Sequence, residues 1–146
     1  MTDDAASTAS PFSRIDPELL PIFEELRPRE PIFHCKELGV TSGDFATAMA
    51  ADFWEVGASG RRYSRAFILA HAGQIASVNA EEAGWQASGF GLRRLEAHTY
   101  LLTYTLRQTD RLTRRSTIWQ RTPEGWRILY HQGTMVAAEE DDVLPG

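Results

Sequence analysis

Residues 97–108 read "AHTYLLTYTLRQ". Side chains in this run alternate, with His98, Tyr100, Leu102 and Tyr104 on one side and Thr99, Leu101, Thr103 and Thr105 on the other. A period of two in a segment rich in Thr and Tyr predicts a β-strand. Working outward, "WQASGFGLRRL" (85–95), "LTRRSTIWQRT" (112–122) and "GWRILYHQGTMV" (125–136) share that character, and turn-like "TDR" (109–111) and "PEG" (123–125) separate the later runs. Four strands joined this way form an antiparallel meander. Gly84, Gly89 and Gly91 in the first of them mark a bend or bulge that curls the sheet.

Upstream of about residue 84 the period is helical. In "DPELLPIFEELRPREPIFHC" (16–35), Leu19, Ile22, Phe23 and Leu26 recur at helical spacing behind a cap at Asp16 and a first helical residue at Pro17. Pro21, Pro28 and Pro31 each remove an amide donor, so a kinked or two-piece helix is expected. "TSGDFATAMAAD" (41–52) opens on a capping-box pair, Thr41 and Asp44, and places Phe45 and Met49 on one face. A third helix, "RAFILAHAG" (65–73), is capped by Ser64 and expected to end at Gly73. A short strand spans 52–57. Helices first and a curved sheet second give an α+β layout with one sheet face covered by helices.

The chain has 146 residues, 42% of them hydrophobic, enough for one domain to bury a core without disulfide or metal staples. That domain is expected over 15–136, between an Ala/Ser/Thr/Asp tail (1–14) and an acidic tail (137–146) that both lack apolar surface. No apolar run approaches the roughly 18 residues of a membrane span, and "MTDDAASTASPFS" lacks the pattern of a signal peptide, so a cytoplasmic location is expected. One cysteine, Cys35, and scattered histidines give no metal-ligand spacing; no metal and no cofactor are expected. A net charge of -5 argues against nucleic acid as a partner. Lys36 is the single lysine among 15 basic residues, so individual arginines carry little weight as ligand signals.

In the strand at 52–57, Phe53, Glu55 and Gly57 share one face and Trp54 and Val56 the other. Facing an apolar interior, Glu55 would hold its proton to higher pH and serve as a general acid or base; on an open face it would pair with Arg61, Arg62 or Arg65. Ser59-Gly60 makes a tight reversal, and Gly60 and Ser64 are read as architecture. On the last strand Arg127, Leu129 and His131 alternate against Trp126, Ile128, Tyr130 and Gln132, and His131 on the pocket face would be the natural proton-transfer partner of Glu55. Arg115, Thr117 and Trp119 lie together. Tyr100, Tyr104 and Trp119 either line a pocket or pack, and Trp126 is read as packing. His34 and His71 are placed on helices, with Cys35 as a buried small hydrophobe.

Two motifs, "F-x-E-x-G-x-S-G-R-x-Y" (53–63) and "W-R-I-x-x-H-Q-G-T" (126–134), in this order after two helices, resemble the domain of unknown function 4440. That family lies within the nuclear transport factor 2-like superfamily, which also holds ketosteroid isomerases, scytalone dehydratase, limonene epoxide hydrolase and SnoaL-type polyketide cyclases. The resemblance covers about residues 17–135. It implies a cone: N-terminal helices packed on a strongly curved, mainly antiparallel sheet around a pocket, commonly dimeric through the sheet. It implies no fixed chemistry. Set against the ketosteroid isomerases, their proton-shuttling Asp falls near Gly57, and the first helix carries no Tyr for an oxyanion donor, so that reaction is disfavoured. Three readings follow. One is a binder of a small apolar or carbonyl-bearing molecule, contacted by Phe53, Trp54, Tyr100, Tyr104 and Trp119. Another is a lyase, isomerase or cyclase using Glu55 and His131. The last is a dimeric interaction module with a filled cavity.

Overall fold

The structure is a computed structural model and describes residues 10–137. Of the tails expected at 1–14 and 137–146, residues 1–9 and 138–146 lie outside the described residues. Residues 10–14, read from sequence as tail, form a turn of 3-10 helix at Pro11–Ser13, capped by the Ser10 side chain. The Leu92 amide donates to the Arg14 carbonyl at 3.0 Å, which holds this segment on the sheet.

The proline-rich segment breaks up as its sequence requires. A 3-10 turn at Pro17–Leu19 leads into α1 (Leu20–Leu26), and a second 3-10 turn follows at Arg27–Arg29. Glu25 fastens α1 to the sheet, accepting from Arg121 Nη2 at 2.6 Å and Trp126 Nε1 at 3.0 Å. Helix α2 (Ser42–Ala48) begins with the full capping box, Thr41 Oγ1 accepting from the Asp44 amide and Asp44 from the Thr41 amide. Met49, expected on that helix, instead opens β1 (Met49–Val56). After β2 (Arg62–Ser64), the Ser64 hydroxyl caps α3 (Arg65–Ala70). Gly73 does not end this helix; the break comes at His71, and Gly73 lies inside a further short helix, α4 (Ala72–Ala76).

Strands β3 (Gln86–Glu96), β4 (Thr99–Arg107), β5 (Leu112–Thr122) and β6 (Gly125–Met135) form the antiparallel meander. The six strands lie in the order β2-β1-β6-β5-β4-β3, and β1 runs parallel to β6. The register of β3 on β4 shifts between Ser88 and Gly91, where Gly89 has φ +66°, a left-handed conformation that glycine adopts at no steric cost. A second irregularity decides the site. On β6 the pairing passes from Ile118–Tyr130 to Trp119–Ile128, leaving Leu129 as an extra residue. Strict alternation had set Trp126 and Ile128 opposite His131; the bulge instead puts all three on the buried face and turns Tyr130 outward.

Helices and inner sheet face enclose one apolar core that includes Leu26, Phe33, Phe45, Phe53, Leu102, Trp119 and Ile128. Among the described residues no helix is long and apolar enough to cross a membrane.

Candidate functional site

The polar floor of the core is centred on Glu30, a residue that no sequence pattern singled out. It lies in extended backbone just after the second 3-10 turn and is 3% exposed. Tyr104 Oη donates to Glu30 Oε1 at 2.7 Å and Trp119 Nε1 to Oε2 at 3.0 Å. Thr117 also reaches this carboxyl. Burial raises the Glu30 pKa, and the hydrogen bonds from Thr117, Tyr104 and Trp119, together with the charge of Arg115, oppose that rise. Tyr104 and Trp119 are thereby committed to the carboxylate. They fill the interior, as does Tyr100, which packs edge-on to Trp126 at 5.6 Å and accepts from Arg94 Nη1 at 3.1 Å.

Thr117 links this floor to His131. Its Oγ1 lies 2.8 Å from His131 Nδ1. That contact is one hydrogen bond whose direction follows the ring tautomer, and Nε2 is the ring nitrogen left over. That nitrogen is buried and has no hydrogen-bond partner. Burial first, then the positive charge of Arg115, press the His131 pKa down to about 3, so the ring is neutral at physiological pH.

His131 and Glu55 are register partners on the parallel strands β6 and β1, and both border a cavity of about 390 Å³. Helix residues Phe67, Ile68 and Ile75 and loop residues Ile32, Phe33 and His34 form its apolar side, and Arg111 and Arg115 also border it. Such a volume lies within the range of small-molecule sites. The Glu55 carboxyl is raised to about 7 by burial, against the opposing pull of Arg115. The β1–β2 reversal that presents it is held by the Gly57 amide donating to the Arg61 carbonyl at 2.8 Å, with Gly60 at φ +91°. Phe33 takes φ +68°, a costly conformation for an aromatic residue, at the point where the loop carries Phe33 and His34 to the cavity.

His34 is not on a helix but in this loop. Its Nδ1–H donates to the Val78 carbonyl at 2.9 Å, and burial lowers its pKa. His71 sits at the junction of α3 and α4, stacked on Phe67 at 4.1 Å. The Cys35 thiol is pushed up to about 11 by burial, which leaves it unreactive at neutral pH.

The expected ligand contacts divide sharply. Phe53 is buried behind the cavity, edge-on to Phe33 at 5.9 Å. Trp54 does not line it: alternation turns the side chain to the outer face, where it is 45% exposed and meets Tyr130 at 4.9 Å. Tyr100, Tyr104 and Trp119 pack or hold Glu30, as described, and lie away from the cavity wall. Among the described residues no group of three or more His, Cys, Asp or Glu side chains could hold a metal ion.

No family model and no curated protein matches the chain. Solved structures do. A nuclear transport factor 2-like protein from Cytophaga hutchinsonii is similar at 10% identity over 84% of this chain and 100% of that one, with a TM-score of 0.58. A protein of unknown function from Pectobacterium atrosepticum, of the family of domain of unknown function 3225, gives 14%, 88%, 98% and 0.62 in the same order. A cystatin-like fold protein from Burkholderia xenovorans gives 11%, 84%, 95% and 0.63. The chain therefore has the nuclear transport factor 2-like fold, an α+β cone of helices on a curved, mainly antiparallel sheet.

Proposed function

We propose that the cavity binds a small apolar or carbonyl-bearing molecule, on the pattern that the motif resemblance to the domain of unknown function 4440 suggests. The observation that carries this reading is the pairing of Glu55 with His131 on adjacent strands, at one cavity, with the His131 Nε2 unpartnered. Buried polar groups are normally satisfied, and a ligand group is what would satisfy this one. The remaining volume, about 390 Å³, speaks against a wholly filled interior.

A second reading, proton transfer, is supported by the Glu55 carboxyl near 7 beside a neutral imidazole. Here Glu55 takes the proton from a substrate carbon or hydroxyl and His131 Nε2 orients the reacting group. Pairing of two copies through the sheet is proposed on the exposed Trp54 and the half-exposed Tyr130 of its outer face. Native mass spectrometry beside a denatured control tests binding and pairing together. The expected result is a dimer with a reproducible extra mass of small-molecule size that Glu55→Gln weakens. A monomer would overturn the pairing, and a Glu55→Gln variant that keeps the same mass at the same occupancy would remove Glu55 from the site.

A further inference from the structure

Two guanidinium groups border the same cavity as Glu55 and His131, those of Arg111 and Arg115. One amide oxygen holds both: Gln108 Oε1 accepts from Arg111 Nε at 2.8 Å and from Arg115 Nη2 at 3.5 Å. Arg115 Nε donates to Thr113 Oγ1 at 3.0 Å, and the Gln108 amide closes the turn on the Arg111 carbonyl at 2.8 Å. The two cations are thus set side by side by a fixed turn. Burial and then the nearby Arg111 both act against the charge on Arg115. Among the described residues neither arginine forms an ion pair, and Glu30 is already engaged by Tyr104 and Trp119. Guanidinium forks with free N–H groups match a planar carboxylate.

We propose that the cavity takes a small organic acid, its carboxylate bound by Arg111 and Arg115 and its apolar body lying against Phe33, Ile68 and Ile75. This rests on the small-molecule reading of the cavity. The apolar wall favours an organic acid over an inorganic anion. Five titratable or charged groups share the cavity with Glu55: Arg115 from β5, Arg111 from the β4–β5 turn, His131 from β6, Tyr63 from β2 and His34 from the loop, and of these Arg115 shifts it. A bound carboxylate adds negative charge there and favours the protonated form of Glu55. His131 stays neutral down to about 3, so proton uptake near neutrality falls to Glu55.

Isothermal titration of the full chain at pH 6 and pH 8 tests this, with hexanoate and benzoate against hexanamide, benzamide and inorganic phosphate. The acids are expected to bind at least about tenfold more tightly than their amides. They should bind several-fold better at pH 6 than at pH 8, with phosphate silent. Arg111→Gln, at the half-buried end of the turn, should weaken the acids about tenfold and the amides far less, and Arg111→Lys should restore only part of the loss. Equal binding of acids and amides overturns the carboxylate assignment and leaves the small-molecule reading standing. Phosphate binding as tightly as the acids makes this an inorganic anion site and overturns the proposal. Silence from every compound, at both pH values, counts against both readings.

Discussion

Glu30 is buried and Glu55 half-buried, and loss of water shifts the pKa of both upward. What separates them is their company. Glu30 is held by Tyr104 and Trp119 and tied through Thr117 to His131, so its lone pairs are spent on the fold. Among the described residues nothing hydrogen-bonds the Glu55 carboxyl, which faces the cavity and has only the field of Arg115 to oppose burial. Two acids with the same electrostatic tendency therefore do different work: one specifies the core, and the other is kept available.

The contrast breaks most visibly at Glu30. Glu30→Ala leaves the Tyr104 hydroxyl and the Trp119 indole N–H buried without acceptors, and about 3–5 kcal/mol should be lost in urea unfolding. A loss under about 1 kcal/mol would show that water or a rearranged chain replaces the carboxylate.

At Glu55 the effect has the opposite sign and depends on pH. Its folded pKa of about 7 stands above the ordinary 4.5, so the folded state binds more protons between those values and its stability falls as pH rises through the window. Glu55→Gln removes that penalty. The variant should be more stable than the parent by about 3 kcal/mol at pH 8 and equal to it below pH 4.5. Thermal melts across this range check the sign; destabilisation at pH 8 would mean the ionised carboxylate holds the fold together.

The smallest expected effect lies at the link. Thr117→Val removes the Nδ1 partner of His131 and one reach to Glu30, for about 1–2 kcal/mol. It also releases the imidazole tautomer. Nitrogen shifts of His131 in NMR should move from a single tautomer toward a mixture, whereas an unchanged tautomer would detach His131 from Thr117.

Much of the architecture was legible because it rests on local chemistry. The alternation of 97–108, the Thr41–Asp44 box, the Ser64 cap and the Ser59-Gly60 reversal each act within a few residues, and each reappears in the structure. Alternation set Glu55 on the face of Phe53 but left open whether that face was the interior, and the cavity beside it is what the structure adds. Glu30 escaped notice because "RPREPIF" has no period to read and its partners lie 74 and 89 residues away in sequence. Trp54 was grouped with the cavity although alternation already set it on the other face. Arg111 and Arg115 were discounted with the other arginines, since abundance hides the few that one glutamine holds together.

The extra residue Leu129 also has a consequence for how such a protein changes over generations. Deleting it would restore strict alternation and leave every face as it is, with Trp126, Ile128 and His131 inward and Tyr130 outward. Losing that codon would thus spare the β6 inner face, whereas losing a codon elsewhere in the strand would turn every residue on one side of the gap to the other face at once. The residues that β6 turns toward the cavity are therefore open to revision by insertion and deletion, and comparing strand lengths among proteins of this fold would locate such events sooner than comparing residue identities.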